Sequence, residues 1–157
     1  MALASSDIIR LNVGGTNYSV GLETILNEKT CLLAHWFDPK LGTPPLLVDR
    51  NGAYFIDRDP LSFGVILNFM RLRRAGQLWE TCLPKDPDRL ALLTQEAEYF
   101  GLSPLRDQAI QLLHACSTEH TDAGYVQQVL VRSASCPMGL SGKPINMDDS
   151  VISAEDS

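Results

Sequence analysis

Three short polar residues each stand directly before a proline between positions 59 and 104 of this chain. The pairs are Asp59-Pro60, Asp86-Pro87 and Ser103-Pro104. Such a pair marks the start of a helix, because the polar side chain accepts a hydrogen bond from a free backbone amide and proline's fixed φ suits the first turn. Gly76 and Gly101 stand where the first two helices can end. The spacing predicts three successive helices that close the folded part of the chain near residue 116.

Apolar residues recur at helical spacing within these three segments, which predicts one buried stripe on each helix. The expected inward positions are Phe63, Ile66, Leu67 and Met70 in the first, Leu90, Leu93, Ala97 and Phe100 in the second, and Leu105, Ala109, Leu112 and Leu113 in the third.

The first half of the chain carries extended patterns around glycine turns, which predict two β-hairpins. One joins residues 8–13 to 18–20 through Gly14-Gly15, and the other joins 46–48 to 53–56 through Asn51-Gly52. Short helices are expected at 22–26 and 30–37. Strands followed by a run of helices predict an α+β fold, in which a small sheet is covered by a layer of helices.

The chain of 157 residues is long enough for one ordinary core. We expect one domain over residues 7–116 and a short extension over 117–135, with one candidate strand at 125–131. Residues 136–157 are rich in Ser, Gly and Asp, which predicts a disordered tail.

Net charge excludes some classes of partner. At −6, the chain repels phosphate backbones and anionic lipid, so neither nucleic acid nor a membrane surface is an expected partner. No apolar run reaches the length of about 18 residues that a membrane span needs, and the first residues do not form a secretory signal. The four cysteines have no paired spacing and are expected to be reduced thiols. Together these features favour the cytoplasm.

No motif supports catalysis, a cofactor or a metal. The three histidines stand in no hydrolase or metalloprotease context, and Gly14-Gly15 lacks the further glycines and lysine of a phosphate-binding loop. His114, Cys116 and His120 lack a fourth zinc ligand. The sequence therefore predicts a protein that is not an enzyme and that carries neither cofactor nor metal.

One charged run stands out, Phe55-Ile-Asp-Arg-Asp-Pro60, where three charges separate a hydrophobic strand from a helix. Two interpretations stay open. Arg58 can be a solvated charge beside a helix cap, or the run can form an alternating-sign patch that pairs across a symmetric subunit interface.

Five motifs occur in a fixed order across residues 8–116. They are Leu11-Asn-Val-Gly-Gly-Thr16, Gly52-Ala-Tyr-Phe-Ile-Asp-Arg-Asp-Pro60, Phe63, Ile66-Leu-Asn-Phe-Met-Arg71 and Gln95-Glu-Ala-Glu-Tyr-Phe100. Together they resemble the potassium-channel tetramerisation type of BTB/POZ domain, and most closely that of the soluble KCTD proteins. The zinc set of channel members, one histidine and three cysteines, is absent, which favours the soluble branch.

The resemblance implies a BTB/POZ fold with a small mixed sheet and a layer of helices. It also implies self-assembly into closed rings, with a pentamer favoured over a tetramer. By position, it assigns the subunit contact to Asp57, Arg58 and Asp59, with Asn12 and Arg71 as further candidates. Phe63 and Leu67 are expected in the core.

The resemblance also implies a function, because many KCTD relatives act as ubiquitin-ligase adaptors that hold the N-terminal part of cullin-3. The aromatic residue after Glu-Ala-Glu touches cullin in such relatives, and Tyr99 occupies that position here. An ordinary helix residue is the alternative interpretation of Tyr99. The segment from Arg71 to Gln95 is longer than in the family, and its Trp79 is either an additional partner contact or a block.

The second functional hypothesis is an oligomerisation scaffold or regulatory stub that joins longer KCTD chains in their rings without binding cullin. It arises because relatives usually add a second domain, of which residues 125–131 resemble only the opening strand.

Overall fold

The computed structural model describes residues 7–119, and this part of the chain has the predicted α+β architecture. Three strands form one sheet in the order β2-β1-β3, with bounds β1 Ile8–Val13, β2 Thr16–Gly21 and β3 Tyr54–Ile56. Five α-helices accompany the sheet: α1 Leu22–Leu26, α2 Leu32–Trp36, α3 Pro60–Arg74, α4 Pro87–Phe100 and α5 Ser103–Glu119. The prediction of a small mixed sheet covered by helices is confirmed.

The first predicted hairpin is confirmed, with β1 and β2 antiparallel around Gly14-Gly15. Both glycines have positive φ, of 58° and 101°, a conformation that glycine adopts without steric cost. Alternate β1 residues Ile9, Leu11 and Val13 are buried. The opposite face of the sheet carries polar side chains, so only one side of the sheet packs on the helices.

The second predicted hairpin is confirmed only in part. Leu47 O accepts from Phe55 N and Ala53 O from Asp49 N, but the first arm forms a single bridge, from Val48 to Tyr54. Instead, β3 pairs in parallel with β1, placing Val13 beside Ile56. The first arm is short because Leu47 is 78% exposed, so burial does not hold it in a strand.

All three predicted polar-proline starts coincide with the start of a helix. Asp59 Oδ2 accepts from Ser62 N at 2.8 Å at the start of α3, and Asp86 Oδ2 accepts from Arg89 N at 3.1 Å at the start of α4. Helix α5 begins at Ser103. Gly101 ends α4 in the left-handed conformation with φ of 76°, as its position in the sequence predicts.

The predicted apolar stripes form the core, apart from Leu112, which is only partly buried. Phe69 lies outside the predicted stripe and is nevertheless fully buried. A single 3-10 turn, Trp79–Cys82, covers it, with the rings of Trp79 and Phe69 perpendicular and 4.9 Å apart. Helix α3 is therefore covered on two sides, by the core and by this turn.

The first compact unit of the chain ends at Leu112, and the described residues of the second unit are only those at the end of α5. The expected strand at 125–131 and the expected tail at 136–157 lie outside the described residues. Within residues 7–119, no helix is both long and apolar enough to cross a membrane.

Candidate protein-interaction surface

The charged run of residues 57–59, here called the junction, leaves β3 directly after the buried Ile56. Ile56 O accepts from Gly14 N at 2.9 Å and from Arg58 N at 3.0 Å. The glycine turn between β1 and β2 thereby fixes the backbone from which the three charged side chains project.

Arg58 forms a two-pronged ion pair with Glu96 of α4. Its Nε lies 3.0 Å from Glu96 Oε1 and its Nη2 lies 2.9 Å from Glu96 Oε2. The carboxylate is buried, with 7% of the Glu96 side chain exposed, whereas 29% of the Arg58 side chain is exposed. Arg58 is therefore not a freely solvated charge, because both atoms of its fork are used within the chain.

The guanidinium group of Arg58 also lies against Tyr99, with Cζ 3.8 Å from the centre of the ring. Such a position allows an attractive cation–π interaction. Tyr99 packs edge-on to Phe100 at 4.9 Å, yet it remains 43% exposed. The Tyr99 ring thus packs against Phe100 and Arg58, and the rest of it is open to solvent.

A second ion pair joins the junction to α4, with Arg89 Nη2 3.5 Å from Asp59 Oδ2. Burial raises the pKa of Asp59, but hydrogen bonds from Ser62 and the charge of Arg89 outweigh it, so the pKa lies below its ordinary value of 3.8. Arg89 and Glu96 lie two helical turns apart. They hold the junction along one face of α4 through two ion pairs. In one pair the junction supplies the cation, Arg58, and in the other it supplies the anion, Asp59.

Asp57 differs from its two neighbours because its side chain is exposed. Within the described part of the chain it has no hydrogen bond or ion pair. Of the junction residues, it is the one with a charge still available to another molecule.

The two further interface candidates lie on different elements, Asn12 in β1 and Arg71 in the last turn of α3. Asn12 Nδ2 donates to Asp49 Oδ2 at 2.9 Å, and Asn12 Oδ1 accepts from Gly15 N. Hydrogen bonds from Ala53 N and from Asn12 lower the pKa of Asp49. Arg71 is exposed and donates to Ser19 O at 2.8 Å. The structure does not join either residue to the junction.

The segment between α3 and α4 is held on α3. Trp79 is half-buried against Phe69, while the preceding Leu78 is 73% exposed. Arg73 lies nearby and pairs with the buried Glu28 at 2.9 Å. Trp79 therefore supports the fold, and its indole presents only part of its surface to a partner.

The described residues do not gather three side chains of His, Cys, Asp or Glu that could hold a metal ion. The junction and α4 present an aromatic ring and a guanidinium group, side-chain types that are enriched in protein interfaces, next to the exposed carboxylate of Asp57.

A family profile described as the BTB/POZ domain matches residues 9–109. The chain belongs to the BTB/POZ family. Because the matching type is that of potassium-channel tetramerisation domains, the resemblance to the KCTD proteins is confirmed.

The BTB domain is similar to three curated relatives. BTB/POZ domain-containing protein KCTD3 of Homo sapiens is 31% identical over 145 residues, which cover 92% of this chain and 16% of that protein. KCTD21 of Mus musculus is 37% identical over 100 residues, covering 64% and 35%. SH3KBP1-binding protein 1 of Rattus norvegicus is 34% identical over 102 residues, covering 65% and 13%. The chain thus spans at most about a third of these relatives.

Sequence reasoning missed three residues of this BTB surface, namely Glu96, Arg89 and Leu92. Leu92 is 36% exposed and shares a helical face with Glu96 and Tyr99, at positions i, i+4 and i+7. The spacing of 89, 92, 96 and 99 was a usable signal for one face of α4. It did not indicate that the junction packs on that face.

Proposed function

We infer that this BTB domain is a protein-interaction and oligomerisation module, because it belongs to a family that binds rather than catalyses. We propose that it assembles into a closed ring, a pentamer rather than a tetramer, and that the ring binds the N-terminal part of cullin-3 as a ubiquitin-ligase adaptor in the cytoplasm. In this proposal, Asp57 contributes to the subunit contact and the α4 face carrying Tyr99 meets cullin.

One observation carries the cullin part of the proposal: the ring of Tyr99 is exposed and packs against the guanidinium group of Arg58. Interface hot spots are enriched in Tyr and Arg, and they are pre-ordered aromatic anchors surrounded by residues that exclude water. Leu92 lies two turns away on the same face of α4 and adds exposed apolar surface to that face.

The test is isothermal titration of the assembled chain with the N-terminal region of cullin-3. We expect a saturable complex, and we expect Tyr99→Ala to raise its Kd by about 30-fold, the size of a hot-spot effect. Leu78→Ala is the matched control, because Leu78 is exposed but lies outside the α4 face. Equal affinities for the wild type and Tyr99→Ala would contradict the assignment of Tyr99.

The second hypothesis is a ring that leaves cullin free and takes in longer KCTD chains. Light scattering after size exclusion separates the two hypotheses. A closed oligomer that gains mass with cullin supports the adaptor, and one that gains mass only with a longer KCTD chain supports the scaffold. A monomer would contradict both.

A further inference from the structure

The ring of Tyr99 has no hydrogen bond that fixes its direction among the described residues. It makes two contacts that bear on its orientation, with the perpendicular ring of Phe100 and with the guanidinium group of Arg58. Phe100 is fully buried and belongs to the core. Arg58 is therefore the contact that can set the outward orientation of the ring.

The guanidinium plane is itself fixed by Glu96. A carboxylate that receives both Nε and Nη2 defines the tilt of the plane as well as its position, because the two hydrogen bonds are parallel. Glu96 and Tyr99 are one helical turn apart on α4, so the helix sets the distance between the carboxylate and the ring. Glu96, Arg58 and Tyr99 thus form one continuous set of contacts between α4 and the junction.

We propose that Arg58, oriented by Glu96, is a positioning residue for Tyr99: its guanidinium, paired with the buried carboxylate, holds the aromatic ring in the exposed orientation that a protein partner meets. This inference deepens the proposed function and rests on it for the identity of the partner. It also gives Arg58 a role distinct from direct pairing across a subunit interface.

The side-chain chemistry predicts that lysine cannot replace Arg58 in this role. A lysine ammonium keeps the positive charge beside Glu96, but it is a point charge without a plane to stack under the ring. Arg58→Lys therefore removes the support of Tyr99 while keeping the buried carboxylate paired. Arg89→Lys is the matched control, because Arg89 pairs with Asp59 in the same cluster but lies nearly three helical turns from Tyr99 along α4.

The first measurement is fluorine NMR of the full chain labelled with 3-fluorotyrosine, with the Tyr99 signal assigned from Tyr99→Phe. We expect Arg58→Lys to shift and broaden the Tyr99 signal, and Arg89→Lys to leave it in place. The signals of Tyr18 and Tyr54 report folding, since these residues pack on Phe63 and Phe37 respectively. Glu96→Gln, measured in parallel, should move the Tyr99 signal in the same direction. An unchanged Tyr99 signal in both Arg58→Lys and Glu96→Gln would overturn the proposal.

The second measurement is a double-mutant cycle of Arg58→Lys and Tyr99→Ala, read as Kd for the N-terminal region of cullin-3. If Arg58 acts through Tyr99, Arg58→Lys weakens binding by about tenfold in the wild type and has no further effect in Tyr99→Ala. Equal fold-changes in both backgrounds would show an independent contact and overturn the positioning role in binding. If the wild type binds no cullin, the adaptor function fails, and the fluorine signals still decide the positioning of Tyr99.

Discussion

At the scale of single residues, Gly14 connects the first turn to the interaction surface. Its φ is 58°, and a Cβ placed there would come within 2.7 Å of Arg58 O and 3.1 Å of Pro60 Cδ. The position therefore combines left-handed backbone with close packing on the junction. Gly76 has a similar φ of 71°, but a Cβ placed there would meet no other atom within 4 Å. Comparing alanine substitutions at Gly14 and Gly76 therefore separates the cost of backbone strain from the cost of steric contact.

We expect Gly14→Ala to lower the free energy of unfolding by about 3 kcal/mol, because the strained backbone and the displaced junction both contribute. Gly76→Ala should cost about 1 kcal/mol, from backbone strain alone. Urea denaturation followed by circular dichroism measures both values. Equal losses would show that contact with the Arg58 carbonyl adds nothing.

Asp59 gives the stability a dependence on acid pH. Since its pKa is lowered in the folded state, its contribution is fully present above the ordinary value of 3.8 and is lost as the pH falls through the folded value. Asparagine also caps a helix but does not titrate. Between about pH 5 and pH 3, the stability of the wild type should therefore fall more steeply than that of Asp59→Asn. Parallel slopes in urea titrations across this range would contradict the lowered pKa.

At the scale of elements, the turn Trp79–Cys82 changes what α3 can bury. The stripe of Phe63, Ile66, Leu67 and Met70 was predictable because these residues follow helical spacing and face the core. Phe69 was not, because the surface that covers it comes from a segment without periodicity of its own. Helical spacing identifies the face that meets a regular neighbour, and it gives no information about a cover made by a loop.

We expect Trp79→Ala to cost about 2 kcal/mol of unfolding free energy, half of the cost of removing a fully buried aromatic. Leu78→Ala is the neighbouring control and should have little effect, because 73% of Leu78 is already exposed. Guanidinium denaturation compares the two variants. A neutral Trp79→Ala would mean that the turn does not stabilise α3, and would leave Trp79 as a candidate partner contact only.

At the scale of the whole molecule, contacts between distant segments decide the site. The cap at Asp59 and the aromatic position of Tyr99 could be predicted, since each depends on a local motif. The partners of the junction could not, because Arg58 and Glu96 are 38 residues apart and only tertiary packing brings them together. The parallel pairing of β3 with β1 escaped prediction for the same reason, whereas the glycine turn of the first hairpin is a local signal.

Assembly is a property of the whole molecule, and a substitution at Asp57 tests the proposed subunit contact. We expect Asp57→Lys to lower the oligomer mass in light scattering without changing the far-ultraviolet circular dichroism of the chain, because the side chain is exposed and unpaired among the described residues. Glu80→Lys is the control, with the same charge change at another exposed position. An oligomer mass unchanged by Asp57→Lys would remove Asp57 from the subunit contact.

The parallel pairing of β1 and β3 also determines when the interaction surface can form. Val13 and Ile56 are about forty residues apart in the chain, so the pairing needs the closure of a long loop before it gains any hydrogen bond. The β1–β2 hairpin and the helices depend on nearer contacts, and such local structure forms faster. The junction follows β3 directly in the chain, so we expect it to pack against α4 in one of the last steps of folding. A newly made chain would then acquire its helices before it acquires a surface that another protein can recognise.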